Sequence, residues 1–456
     1  MTDGGEGPAP ATVTLPITNM VWFIDLNADG SNDGDFTNPF QSIDDFMAVQ
    51  GGGVGNNEPD VGHTIFIYDQ GDNDPYDGRL GLLDDQILLG EGVGLTIDMR
   101  EIVAAGTKPI LVNSEFAIGE SQGDTVIQLA DRNRVAGLEI QAPNLHGILG
   151  LDVLGPTYID EVDIRDSLSS GIRLQNVIGP FYVGDENNAG PGFQPGLRTW
   201  SITGAGFHGI EITSGQVDAL RTGITVDPQV PSGAVLLALG GRIANIGSTG
   251  IQAVDANLAV LGCELDNCSI GLSLQTFNAG TCDFNIIRTL NGTNTPHRFR
   301  GIVLDPIGSQ SGIEAQFDNC TTISQEEALR GGSQSGGRLT IEVMDTCTWE
   351  NLVTGNLPAV FLQGISEGET TVIAEFDCNV NGNNTGGGIV CIGCLFDADP
   401  DAAGVQTVNT STLQLGNSAG ARVEFTALQL YSCIGSWSIG TLTIWQVTGD
   451  PAGYIN

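Results

Sequence analysis

From about Asp124 onward, apolar and polar residues recur in a fixed local frame. The phrase X-Gly-Ile returns as His146-Gly147-Ile148, Ser170-Gly171-Ile172, His208-Gly209-Ile210, Thr222-Gly223-Ile224, Thr249-Gly250-Ile251, Arg300-Gly301-Ile302 and Gly387-Gly388-Ile389. Nine residues before the glycine stand Leu138, Val162, Trp200 and Gly241, and seven before it stand Ile140, Ile164, Ile202 and Ile243. Between them lie Glu139, Asp163, Ser201 and Arg242. Two nearly apolar columns flank a polar one, so each segment reads as a strand with one face inward and the same register each time. The spacing between phrases varies, as it does when coils carry loops of different length. The pattern predicts an all-β, right-handed parallel β-helix, with equivalent residues stacked about 4.8 Å apart.

Competing architectures fit less well. A doubly wound α/β fold needs helices of ten or more residues between strands, and a 3.6 period is absent from this stretch. A β-sandwich needs hairpins with tight two-residue turns, whereas these strands meet at Gly/Asn corners. Along the chain, residues 1–18 read as an extended leader. Residues 19–112 read as an N-terminal capping part with the first coils, including strand-like runs at Val21–Ile24, Thr64–Tyr68 and Gln86–Leu89 and a short helix around Ser42–Val49. Residues 113–352 hold the regular coils, interrupted by loops at 179–196, 291–297 and 326–337. Residues 353–456 form a less regular closing β region, with β-rich runs at 423–431 and 441–447.

Composition changes the picture in three ways. The 456 residues include 65 glycines but only 6% aromatics, which suits many tight corners better than thick packed layers. With 55 Asp plus Glu against 16 Lys plus Arg, the formal net charge of -39 repels phosphate backbones and anionic lipid, so neither nucleic acid nor a membrane surface is an expected partner. Lys108 is the sole lysine. No stretch is long and apolar enough to insert in a membrane, and Met1–Pro10 lacks the features of a signal peptide. The chain is therefore expected to be a segment of a larger exported protein, extracellular or at the cell surface.

Nine cysteines, none before Cys263, argue against a whole-domain disulfide framework. Cys320, Cys347 and Cys378 end similar local patterns and are expected to stack as small buried residues on successive coils. Cys391 and Cys394 form the one CxxC; their pairing stays open.

Three groups of residues suggest chemistry. Asp25, Asn27 and Asp29, with Gly30 at the sixth position and then Asp33 and Asp35, match the opening of an EF-hand-like loop and are the expected ligands of a structural Ca2+ ion. The match fails at the twelfth position, which is Phe36. A second acidic loop holds Asp69, Asp72, Asp74 and Asp77. In the regular coils, the register places Glu139 over Asp163 and Gln141 over Arg165 on an outward face, with Arg173 two strands' worth of turn away. A polysaccharide lyase would use Glu139, Asp163 and Arg165 as its catalytic set; the alternative is a solvated charged ladder. His146 and His208, one position before the glycine, read as exposed corner residues.

Residues 21–25, 37–43, 64–68, 76–78, 86–94 and 106–110 carry a likeness that covers roughly residues 20–112. Through them the N-terminal part resembles a widespread family of bacterial right-handed, pectin-lyase-like β-helix segments found in large exported adhesin-like surface proteins. The likeness implies the fold and an exported location and carries over no catalytic motif; the loop after Asp25 is more acidic than the family's. The Gly-His-Gly and Arg-x-Lys of pectinase-type hydrolases are missing. The sequence is thus read as a non-enzymatic structural or adhesive segment that meets glycans or other copies of itself. The alternatives are a self-assembling extracellular filament or phage-spike subunit, and a polysaccharide lyase.

Overall fold

The computed structural model describes residues 20–51, 58–71, 74–114, 125–141, 145–184, 200–214, 216–217, 235–277, 281–308, 311–334, 337–352, 359–365, 372–382, 389–392, 411–415, 423–424, 428–431, 435–439, 442–445 and 454–455. The leader, Thr222-Gly223-Ile224, Asp72 and Cys394 lie outside them. The chain is a right-handed parallel β-helix. A 13-stranded sheet forms one face, and a 25-stranded sheet contributes two strands per coil. One complete coil runs His146–Leu151, Thr157–Asp160 and Asp163–Arg165, and these define the first, second and third stacks.

Each stack pairs in strict parallel register. In the third, Glu139 lies opposite Asp163, Asp163 opposite Ser201 and Ser201 opposite Arg242, while Ile140, Ile164, Ile202 and Ile243 line up inward and are buried. The columns counted from the glycine are therefore real columns of the solid. The inward residues join one continuous core, so each coil closes its apolar face against its neighbours.

The glycine of the repeat has a steric cause. A Cβ on Gly147 would stand 2.7 Å from the Gly171 carbonyl oxygen and 2.8 Å from Ile164 Cγ2; Gly171 and Gly209 are crowded alike. Coils without the full phrase continue the stack: Ile270-Gly271-Leu272 follows the Thr249 coil in register. Gly241 stands in an apolar column for a different reason. A Cβ there would fall inside the Trp200 ring, whose Nε1–H donates to the Leu239 carbonyl at 2.8 Å. One coil's indole fills the place that the next coil's residue leaves open.

The N-terminal end carries the expected helix, Ile43–Val49, capped by Ser42, whose Oγ accepts from the Asp45 amide at 3.0 Å. Val21–Ile24 and Thr64–Ile67 pair in parallel as the first strands of the second stack. Two loop expectations need correction. Phe181–Val183 and Leu329–Gln334 are strands, paired with Thr157–Asp160 and Arg300–Pro306. The glycines and polar residues at 330–333 read as a loop, but Leu329 is buried and held in register by Ile302. Parallel pairing continues past the point where the sequence repeat blurs, as far as Gly435–Ile439 on Ser411–Leu415. Leu442–Trp445 then pairs antiparallel with Gly435–Ile439, and Tyr454–Ile455 antiparallel with Leu428–Tyr431.

Candidate functional site

The carboxylate ladder of the third stack forms as read, and every charge in it has a neighbour. Arg165 reaches Glu139 at 3.1 Å, and Lys108 reaches Asp163 at 2.9 Å. The Ser201 hydroxyl donates to the other Asp163 oxygen, and the Gln141 amide to Glu139. The sole lysine thus spans from the first coils to the regular ones. Arg173 does not join this group; its strand, Ile172–Gln175, belongs to the 13-stranded sheet.

On the first stack, inward Ile172, Leu174, Ile210 and Ile212 alternate with outward Arg173, Gln175, Glu211 and Thr213. Along the coils one outward column runs Leu149, Arg173, Glu211, Gln252 and Ser273. Beside it, at the corner before the strands, His146, Ser170 and His208 follow one another. The Ser170 hydroxyl donates to Glu211 at 2.9 Å, the Ser170 amide donates to His146 Nδ1 at 3.4 Å, and Arg173 Nε lies 3.8 Å from Glu211.

The two histidines are not exposed corner residues. His146 is 1% exposed and His208 is half-buried. The side-chain-free glycine that follows lets the next coil close against this corner, which removes water from the ring. Burial, reinforced by the Arg173 guanidinium, pushes the His146 imidazole down to about 4, against the pull of Glu211. Burial lowers His208 as well, with the same two neighbours opposing each other. Arg173 Nε and His208 Nδ1 are buried without a hydrogen-bond partner among the described residues. The cluster combines neutral imidazole, a guanidinium and a carboxylate, groups able to hold or move a proton beside an anion.

Further along the same sheet, buried Glu327 takes Arg300 Nε at 2.9 Å and Arg330 at 3.4 Å. Burial pushes the nearby Asp305 carboxyl up, opposed by both arginines. Exposed phenyl rings stand at both margins of the sheet. Phe207 (60% exposed) and Phe299 (50%) occupy one corner column, fixed by their amides on Ser169 and Ser269; Phe277 (40%) leaves the opposite end of its strand, its amide on Asp255. The sequence signal for this face was available one residue beyond the repeat's isoleucine, where Arg173 and Glu211 stand, but that column lies outside the segment counted back from the glycine.

In the acidic N-terminal loop, the side chains turn to donors of the loop itself. Asp25 accepts from the Asn27 amide at 2.9 Å, Asp33 from the Ser31 hydroxyl, and Asp35 from the Thr37 hydroxyl, Thr37 amide and Asn38 amide at 2.7 to 2.8 Å. These bonds, the Thr37 hydroxyl first, hold the Asp35 carboxyl below its usual range. Asn27 and Asp29 are exposed. Among the described residues, no three His, Cys, Asp or Glu side chains stand close enough together to hold a metal ion. No helix of the described residues is long and apolar enough to cross a membrane.

No protein-family model matches the chain, and no curated protein sequence does. Among solved structures, the catalytic unit of a thermostable GH87 α-1,3-glucanase from Streptomyces thermodiastaticus is similar at TM-score 0.42 and 15% identity, covering 85% of this chain and 68% of that one. The structure of XylC with xylose gives 0.42 and 10%, covering 80% and 76%. A rhamnogalacturonan lyase gives 0.38 and 11%, covering 80% and 88%. Likeness at this level transfers no activity or residue role.

Proposed function

We propose that this chain is a non-enzymatic, extracellular structural or adhesive β-helix that binds linear glycans along the outward face of its 13-stranded sheet. The observation that carries the reading is the run of Arg173, Glu211 and Gln252, one per coil, between exposed phenyl rings at Phe207, Phe299 and Phe277. Hydroxyl groups of a sugar chain suit a ladder of charged and amide side chains, and the apolar faces of its rings suit phenyl groups. Phe207 and Phe299 are three coils apart, about 14 Å at the coil spacing, a span that several sugar units would bridge. The Glu139–Arg165 and Asp163–Lys108 pairs support a structural part for the third stack, because each carboxylate there already has a cation.

Affinity electrophoresis through gels containing neutral or uronate polysaccharides tests the reading. The wild type is retarded by at least one polymer. Phe207→Ala and Phe299→Ala each weaken that retardation roughly tenfold, about 1.4 kcal/mol. Free migration of the wild type through every polymer sinks the proposal.

One observation favours a polysaccharide lyase as a second reading, placed at His146, Arg173, Glu211 and His208 instead of on the third stack. His208 Nδ1 is buried without a hydrogen-bond partner among the described residues, and the Arg173 guanidinium is near enough to add to burial in pushing its imidazole down, as a carboxylate-neutralising group beside a base would. Ultraviolet absorbance of an unsaturated uronate product, lost in His208→Ala, is its signature; no absorbance on any uronate polymer removes it.

A further inference from the structure

At the corner between the second and third stacks, one inward position per coil holds Cys263, Thr289, Cys320 and Cys347 in turn. Backbone bonds fix the order: the Leu290 amide donates to Cys263 O, the Thr321 amide to Thr289 O, and the Thr348 amide to Cys320 O. Cys347 then pairs in parallel register with Cys378. Cys320 and Cys347 therefore stand on neighbouring coils, about 4.8 Å apart along the stack, inside the Cα separation of roughly 4.4 to 6.8 Å that a disulfide tolerates. Both are free thiols, 2% and 0% exposed, and the Cys320 amide donates to Cys347 Sγ at 3.4 Å.

We propose that Cys320 and Cys347 are the site of a coil-to-coil disulfide, formed by exchange with a low-molecular-weight disulfide. In the first step the Cys347 thiolate attacks one sulfur of R–S–S–R, whose S–S bond breaks and releases RS⁻. In the second, the Cys320 thiolate attacks the Cys347 sulfur of the mixed disulfide and displaces the second RS⁻. Two protein thiols are oxidised, their two protons leave, and the small disulfide is reduced to two thiols. The division of roles follows the surroundings. Contact with the Cys320 thiol and amide pulls Cys347 below its ordinary value, while burial pushes Cys320 up.

Because both sulfurs are buried, the first attack waits on local parting of the coils, so its rate reports that opening. The bond joins two coils across 27 residues of chain. Cys378, one coil further on, is the built-in competitor.

Incubation of the folded protein with oxidised glutathione, followed by thiol titration in denaturant and peptide mapping, tests the site. The expected result is the loss of two titratable thiols relative to the untreated protein, with a linked peptide pair holding Cys320 and Cys347 and no retained glutathione. Cys378→Ala keeps the link, and Cys320→Ser replaces it with a glutathione adduct on Cys347. A dominant Cys347–Cys378 link, a stable adduct on the wild type, or an unchanged thiol count under conditions where the coils exchange their amide protons would each overturn the proposal.

Discussion

The two charged faces of the helix use the same register to opposite ends. On the third stack, Glu139, Asp163, Arg165 and Lys108 pair at the rim of the solvent, where a charge keeps most of its hydration and a partner adds little. On the first stack, Glu211 and Arg173 sit beside one buried and one half-buried imidazole, and the corner glycines hold water away from them. A stacking pattern decides which side chains meet. What they then do to one another depends on how deeply the corner beside them closes.

The largest expected separation between the faces is in their response to acid. His146 and, elsewhere in the coils, His297 are each held at about 4 by burial, against roughly 6.5 for an unfolded imidazole. Between those values the unfolded chain takes up protons that the folded chain refuses. The stabilisation from a neutral ring is therefore complete above about pH 6.5, is lost as pH falls towards about 4, and changes no further below that. At about 1.4 kcal/mol per pH unit this amounts to ~3 kcal/mol for each ring. Denaturant melts at pH 7 and pH 4.5 measure it. His146→Gln roughly halves the difference, because His297 keeps its share, whereas Glu139→Gln leaves it intact; equal slopes for wild type and His146→Gln would contradict the assignment.

A smaller effect separates the carboxylates. Glu211→Ala strips the partners of Arg173 and Ser170 and costs about 2 kcal/mol of stability. Glu139→Ala costs no more than about 1 kcal/mol, because Arg165 is half exposed and regains water. Equal losses in urea unfolding would erase the distinction between the faces. Smallest of all is Lys108→Met, expected within about 1 kcal/mol and shrinking further in high salt. A loss that grows with salt would show that Lys108 acts through packing.

Much of the fold was legible because stacking repeats its chemistry: the isoleucine column and the polar column beside it land where counting from one glycine puts them, and the thiols at 320 and 347 stack as their shared local pattern led one to expect. The first-stack cluster was only half legible. Its members could be counted, but the burial of His146 depends on how close the Gly147 and Gly171 corners approach, which no single coil's sequence states. The acidic loop was legible as a run of oxygen ligands at alternate positions but not in its local bonding, in which Asp25, Asp33 and Asp35 each accept from a different nearby amide or hydroxyl.

The indole of Trp200 resting where Gly241 lacks a side chain bears on how such a chain threads itself. Repeats that resemble one another invite mis-stacking, in which a coil docks one rung too far. Docked against the Cys263 coil, the indole would meet a sulfur atom where it needs an empty seat. A key and its keyhole, cut into adjacent rungs, give a ladder of near-identical steps a marked place at which to start counting.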